Sequence, residues 1–224
     1  MPNKRKNLKI EGANLWYLVG LITSDGNLAK DGRHIDITSK DYGFLQDIKD
    51  SFGITNRIGT KYNIIKQKSF HIQIANRNFY DFLLSVGLMP HKSLSLEDLK
   101  VPPQYFYDFL RGLIDGDGCI RGWVHPSNKR EQWSLRIYSG SAKFLEWLRA
   151  AIKADLKATG RLHRNNDSGT CYVLKFGKMA ARDILRQCYY PGSFSLTRKN
   201  ILAEECINSY IGWKKSKTTE FSRN

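Results

Sequence analysis

The segment LVGLITSDG, residues 18–26, recurs as LRGLIDGDG at residues 110–118. Further similarities follow both copies in the same order along the chain. They pair residues 35–45 with 135–145, 70–83 with 172–185, and 93–96 with 193–196. Similarities that keep one order over such a length indicate an internal duplication, so we expect a chain of two similar halves.

Within each half, the apolar spacing alternates between the 3.6-residue period of a helix and the two-residue period of a strand. This pattern predicts an α+β fold of two pseudo-symmetric αββαββα halves, each with a four-stranded antiparallel sheet. One strand is expected from Arg33 to Thr38. The Pro-Pro pair within residues 99–104 predicts a linker, which divides the chain into residues 1–100 and 101–224. A final helix near Ile201 to Ile211 and a basic tail are expected at the end.

Each repeated segment has a glycine in the middle of a predicted helix, Gly20 in the first and Gly112 in the second. A glycine at such a position costs about 1 kcal/mol relative to alanine. Close packing of the two helices at their glycines would compensate for this cost. It would also bring together the carboxyl ends of the helices, where Asp25 and Asp117 stand.

Two aspartates at the carboxyl ends of neighbouring helices are electrostatically unfavourable. The helix dipole is negative there, and two carboxylates a few ångströms apart repel each other. A divalent cation removes both problems, and we expect Asp25, Asp117 and the backbone carbonyls of Ser24 and Gly116 to hold Mg²⁺ or Mn²⁺. A single Asp-Gly pair is more simply a turn former, but two pairs in matched contexts favour the metal site.

The composition indicates a polyanionic partner. The chain of 224 residues has a formal net charge of +15, more than solubility requires, which favours nucleic acid. No apolar stretch is long enough to span a bilayer, and no apolar run follows the basic residues Met1 to Lys9. We therefore expect an intracellular protein, cytoplasmic or organellar, that is neither secreted nor bound to a membrane. The four cysteines and five histidines are scattered, which argues against a zinc site.

The two repeated segments resemble the signature motifs of single-chain LAGLIDADG homing endonucleases, and the resemblance covers about Leu15 to Trp213. It implies a monomer that cuts both strands of a long double-stranded DNA site, with staggered 3′ overhangs. The last acid of each motif, here Asp25 and Asp117, binds metal in the family, and Ca²⁺ is expected to bind without supporting cleavage. The earlier acid of the motif, which usually caps the helix, is present as Asp115 but is replaced by Thr23 in the first copy.

The resemblance also implies basic and base-reading residues. A lysine follows the last helix of each half in the family, and Lys92 fits that position. Its counterpart in the second half stays open, because Gly192 stands at the aligned place and the basic residues Arg198 and Lys199 follow a little further on. The two sheets would form a DNA-binding saddle along the major groove, with alternate side chains reaching the bases. The candidates are Arg33, Asp36, Arg57, Lys61, His71 and Gln73 in the first half, and Arg121, Trp123, Arg136, Arg161, His163 and Lys175 in the second.

Two other functions fit the same pattern. The protein could be a maturase that binds its host intron RNA through the same basic surface. It could also be a sequence-specific DNA-binding protein without cleavage, although the presence of both acids argues against this. An intein origin is disfavoured because there is no splicing cysteine or serine at the start and no terminal His-Asn pair.

Overall fold

The computed structural model describes residues 10–92, 94–165 and 171–209. The first half contains, in chain order, α1 (Gly12–Asp25), β1 (Gly26–Leu28), β2 (His34–Ser39), α2 (Tyr42–Phe52), β3 (Ile58–Tyr62), β4 (Lys68–Ala75) and α3 (Arg77–Val86). A short 3₁₀ turn at Pro103–Tyr105 leads into the second half. That half contains α4 (Phe106–Asp117), β5 (Gly118–Val124), β6 (Glu131–Ser139), α5 (Ala142–Leu156), β7 (Arg161–Arg164), β8 (Tyr172–Gly177), α6 (Lys178–Cys188) and α7 (Thr197–Asn208).

The predicted α+β order αββαββα is confirmed in both halves. α7 ends at Asn208, so the predicted extension of this helix to Ile211 and the basic tail lie outside the described residues. The basic amino end, Met1 to Lys9, also lies outside them. The division at residue 100 stays a prediction, with one sheet on each side of it.

Each half forms one four-stranded antiparallel sheet with the same strand order. The order is β1-β2-β4-β3 in the first sheet and β5-β6-β8-β7 in the second. The central strands carry the alternating apolar residues of the core, such as Ile35 and Ile37 on β2 and their equivalents Leu135 and Ile137 on β6. These residues face the helices, so the polar residues between them lie on the opposite face of each sheet.

Local capping explains where the outer helices begin. The side chains of Asp41 and Asn76 accept hydrogen bonds from the backbone N–H three residues later, at 3.1 and 3.0 Å, and so start α2 and α3. Ser141 does the same for α5. These caps set the first turn of each helix, and the apolar residues of the helices then pack on the buried face of each sheet.

No helix in the described ranges, 10–92, 94–165 and 171–209, is long and apolar enough to cross a membrane. The helices instead contribute buried apolar residues to the core of the protein. α1 is the extreme case, because every residue from Trp16 to Thr23 is buried. A helix that is buried all round lies at the centre of the molecule, and α1 packs there against α4.

Candidate active site

The two motif helices meet at their glycines. A Cβ atom on Gly20 would lie 1.9 Å from the backbone oxygen of Phe109 on α4. A Cβ atom on Gly112 would lie 2.0 Å from the backbone oxygen of Tyr17 on α1. Both distances are far below van der Waals contact, so the backbones approach as closely as they do only because neither position has a side chain.

This packing brings the carboxyl ends of α1 and α4 together, and Asp25 and Asp117 are the last residues of the two helices. At the preceding position of α4, a Cβ atom on Gly116 would lie 1.9 Å from the Ser24 hydroxyl oxygen and 3.3 Å from Asp25 Oδ2. Gly116 therefore makes room for the end of α1. The hydroxyl of Ser24 donates to the Leu21 carbonyl at 3.0 Å, back into its own helix.

The environment of the two acids opposes their ionisation. Burial and the Asp117 carboxylate raise the pKa of Asp25 from 3.8 to about 6, against the lowering effect of nearby lysines. Burial also raises the pKa of Asp117. Two desolvated carboxylates that repel each other are the condition that a bound cation relieves.

The donor set suits Mg²⁺ or a similar hard cation. The described residues contain no group of three or more His, Cys, Asp or Glu side chains that could hold a metal ion. A site here would therefore consist of the two carboxylates, backbone carbonyls of the last helical turns and water, a combination that Mg²⁺ accepts. Of the two predicted carbonyl ligands, that of Gly116 already accepts a hydrogen bond from Lys199 Nζ at 2.9 Å and has one lone pair left for a metal.

Two buried lysines flank the acids. Lys92 donates through Nζ to the backbone oxygen of Gly26, the residue after α1. Lys199, on α7, donates to the backbone oxygens of Asp115 at 2.8 Å and Gly116 at 2.9 Å in the last turn of α4. Burial lowers the pKa of each lysine to about 8.

Lys199 thus lies at the carboxyl end of α4 as Lys92 lies at that of α1, but it bonds to the last helical turn, whereas Lys92 bonds to the residue after the helix. Gly192, the residue aligned with Lys92, lies instead in a turn with a φ of +79°. The direct alignment fails because Lys92 lies in a turn after α3, whereas its counterpart lies in the first turn of an additional helix, α7. In the sequence, the family resemblance pointed to Arg198 and Lys199 as basic residues near this position, without choosing between them.

Asp115 joins three elements in the interior. Its carboxylate accepts hydrogen bonds from the hydroxyls of Tyr17 at 2.8 Å and Tyr189 at 2.7 Å. It also accepts one from the backbone N–H of Leu196 at 2.7 Å, immediately before α7. Asp115 was expected to cap its own helix, but it instead links α4 to the start of α7, the helix that carries Lys199. Thr23, at the equivalent position, donates to the Val19 carbonyl of its own helix at 2.7 Å and has no other hydrogen-bond partner in the described part of the chain.

Arg111, which sequence reasoning missed, supports the same region. This arginine on α4 is fully buried. It donates to the backbone oxygens of Cys188 at 2.8 Å and Phe194 at 2.9 Å and forms an ion pair with Asp108 at 2.9 Å. It thereby holds the connection between α6 and α7 against α4. Nothing in the sequence around Arg111 indicates the backbone oxygens of Cys188 and Phe194, which lie far along the chain, as its partners.

In metal-free buffer, we expect Asp25 to lower stability as the pH rises from about 4 to about 6. A carboxyl whose folded pKa lies above its unfolded value stabilises the fold below the unfolded pKa, and this contribution is lost as the pH rises through the folded pKa. A shift of about 2 units corresponds to about 3 kcal/mol. Denaturant unfolding of wild type and Asp25→Asn in EDTA at pH 4 and pH 7 should therefore show the variant gaining about this much relative to wild type. An unchanged difference between the two pH values would contradict the buried, ionised state of Asp25.

Most of the predicted DNA-contacting residues share one face of each sheet. By strand register, Asp36, Lys61, His71 and Gln73 lie on the face of the first sheet opposite the core, here called the open face. The open face of the second sheet carries Arg121, Trp123, Arg136, Arg161, His163 and Lys175. Arg57 is exposed and immediately precedes β3.

The predicted position of Arg33 was wrong. β2 begins at His34, so Arg33 lies in the turn before it, where it pairs with Asp31 at 3.7 Å. Its parity along the strand is also opposite to that of Asp36, because successive residues of a strand point to opposite faces. His34, which has the parity of Asp36, occupies the open-face position at that end of β2.

Comparisons with known proteins agree with this architecture. The family model described as a LAGLIDADG-like domain matches residues 13–87 and again residues 107–189. An uncharacterized protein of Methanocaldococcus jannaschii is 25% identical to this chain in an alignment that covers 92% of this chain and 76% of the relative.

Two solved structures share the fold. Full-length DUF199/WhiA from Thermotoga maritima superposes with a TM-score of 0.57 at 14% identity, over 92% of this chain and 64% of that one. The chain thus spans less than two thirds of that protein. The homing endonuclease I-DmoI, in a complex with DNA and Ca, gives a TM-score of 0.56 at 16% identity, over 86% and 97%. Since the two segments matched by the family model together cover more than half of the sequence, the chain belongs to the LAGLIDADG family and contains two repeats of its domain.

Proposed function

We propose that this protein is a metal-dependent, site-specific endonuclease of the homing type, which hydrolyses both strands of a long, asymmetric double-stranded DNA site. One observation carries the proposal. Asp25 and Asp117 end two helices that pack through glycines, and a buried lysine lies at the end of each helix. The centre thus has two carboxylates and two ammonium groups, one of each at the end of either motif helix.

The residues of this centre have complementary roles in phosphodiester hydrolysis. Asp25 and Asp117 would hold Mg²⁺ or Mn²⁺, which when bound supplies a Lewis acid and lowers the pKa of coordinated water. Lys92 and Lys199 place positive charge beside the carboxylates, where the attacked phosphate would gain negative charge. Their backbone hydrogen bonds hold both ammonium groups in position before DNA arrives.

The acids distinguish this proposal from DNA binding alone. The fold is shared by a protein described as DUF199/WhiA as well as by homing endonucleases, so the fold by itself does not establish cleavage. In a chain of net charge +15, two partly desolvated carboxylates beside the DNA would weaken binding unless a cation neutralised them. A site that tolerates this penalty is better explained by catalysis.

The protein would act as a monomer on duplex DNA. A single chain supplies both acids and both sheets, so one copy completes the centre. The two open faces differ in sequence, which calls for an asymmetric target. Homing of a host intron would follow if the target spans the insertion site of the gene.

The proposal is tested with a plasmid library that contains a long randomised duplex segment. The purified chain is incubated with the library in Mg²⁺, Mn²⁺, Ca²⁺ or EDTA, and the ends of linearised plasmids are sequenced. We expect breaks at a recurrent sequence, with 3′ overhangs, in Mg²⁺ and Mn²⁺ only, and binding of the same sequence in Ca²⁺. Selective binding without breaks in any cation would assign the protein to DNA binding, and preference for the host intron RNA would assign it to splicing; either result overturns the proposal.

A further inference from the structure

The two open faces carry opposite charges at one symmetry-related position. In the first sheet, the pairing of β1 with β2 begins with Gly26 opposite Ile37. In the second sheet, the pairing of β5 with β6 begins in the same way, with Gly118 opposite Ile137. Counting from these pairs, the equivalent of Asp36 on β2 is Arg136 on β6. An acceptor-only carboxylate in one half thus corresponds to a donor-only guanidinium in the other.

In the second half, Arg136 belongs to a row of like charges. Lys175 on β8 stands directly opposite Arg136, and Arg161 on β7 stands directly opposite Lys175. Among the described residues, no carboxylate lies within ion-pair distance of these three side chains. Like charges placed opposite each other across strands destabilise a sheet.

Arg136 also has an unmet hydrogen bond. Its Nε atom is buried and has no acceptor among the described residues. A buried donor without a partner costs about 1–3 kcal/mol. The row therefore carries both a repulsion and an unsatisfied donor, and a ligand that brings acceptors or negative charge to the open face would offset the repulsion.

In the first half, the equivalent position is already neutralised. Asp36 accepts a hydrogen bond from His71 Nδ1 at 2.8 Å and a second from Lys61 Nζ. Gly59 makes this arrangement possible, because a Cβ atom there would lie 2.4 Å from His71 Nε2. The carboxylate is thus held in place on the open face, with acceptor capacity left on both oxygens.

We propose that Arg136 reads a guanine in the half-site under the second sheet and that Asp36 reads a cytosine at the symmetry-related position under the first. In the major groove, guanine presents the N7 and O6 acceptors that arginine contacts in pairs, whereas cytosine presents an amino donor that suits a carboxylate. A carboxylate cannot replace arginine opposite guanine, so the target departs from a palindrome at this position. Lys175 and Arg161 strengthen the second half-site by contacts to neighbouring bases or phosphates. This inference rests on the DNA binding in the proposed function but not on cleavage.

The test is selection of bound duplexes from a randomised library in Ca²⁺, with sequencing, for wild type, Arg136→Gln and Asp36→Asn. We expect wild type to enrich a guanine in one half-site and a cytosine at the related position of the other. Arg136→Gln should lose only the first preference and bind the wild-type duplex about 5- to 150-fold more weakly. Asp36→Asn should lose only the second. Arg186→Gln, which changes an exposed arginine on α6, is the matched control and should alter neither preference.

The outcomes separate this inference from the proposed function. If Arg136→Gln folds with an unchanged melting profile and enriches the same bases as wild type, the assignment of Arg136 is wrong. Lys175→Gln provides a second check, because it should weaken binding while the guanine preference remains. If the preferences change as expected but no cation supports cleavage, the proposed endonuclease fails and the base assignment stands. If wild type enriches no duplex sequence, both fail.

Discussion

Asp25→Asn and Asp117→Asn are each expected to lower double-strand cleavage on the order of 10³-fold or more, while binding of the same duplex in Ca²⁺ persists. Asparagine keeps the shape of the side chain but removes the negative charge that would hold the cation. The loss of one fixed group that stabilises charge in a transition state commonly costs 10²–10³-fold, and loss of metal adds to it. Single-turnover cleavage of a supercoiled plasmid that carries the selected site measures nicking and linearisation separately.

Stability gives a second measurement on the same variants. Because burial raises the pKa of both acids, each asparagine variant should unfold at a higher temperature than wild type in EDTA at pH 7. Asp47→Asn, which changes an exposed acid on α2, is the control and should match wild type in both assays. Cleavage at the wild-type rate by either active-site variant would remove that acid from the proposed centre.

The sequence predicted those features that depend on local period and on repetition. The alternation around Ile35 and Ile37 predicted a half-buried strand, and the repeated segments predicted that Gly20 and Gly112 would face each other. Both patterns are local, because the side chains that share a face of a helix or strand are close in sequence. Because the chain is duplicated, each of these patterns occurs twice in the sequence.

The parts that sequence did not predict depend on contacts between distant residues. Asp115 binds Tyr17, 98 positions away, and Leu196, 81 positions away. Lys199 reaches the end of α4 from a helix that begins 80 residues after that helix ends. Neither contact leaves a period in the sequence, so the choice between Arg198 and Lys199 needed the packed structure. The error at Arg33 has another cause, since a strand boundary depends on where the ladder of hydrogen bonds begins.

These distant contacts make the two halves of the centre unequal. Asp115 and Arg111 tie the start of α7 and the segment before it to α4, so Lys199 is held by a buried network. In the first half, Thr23 makes only a bond within its own helix, and Lys92 has a single backbone acceptor among the described residues. The second lysine is therefore the more firmly held of the two. The acids and glycines therefore occupy equivalent positions in the two halves, whereas the two lysines are held in different ways.

Gly20→Ala and Gly112→Ala are expected to be the most destabilising glycine-to-alanine substitutions among the described residues. A methyl group at either position would lie about 2 Å from a backbone oxygen of the facing helix, 1.9 Å for Gly20 and 2.0 Å for Gly112. A flexible side chain could move away, but here the obstacle is helix backbone, so the helices themselves must separate. Overpacking in a core typically costs 1–3 kcal/mol, and displacement of two central helices should exceed about 3 kcal/mol.

Urea unfolding measures this cost against Gly43→Ala. Gly43 also lies in a helix, but a Cβ atom there would come no closer than 3.4 Å to its nearest neighbour, the Asp41 carboxylate. That variant should gain up to about 1 kcal/mol from the higher helix propensity of alanine. A loss below about 1 kcal/mol in Gly20→Ala would mean that the helices can separate cheaply, and then close packing could not be what holds Asp25 beside Asp117. If instead the variant folds but is much less stable, its cleavage rate should fall as well, because separated helices would hold the two carboxylates too far apart to share the charge of a metal.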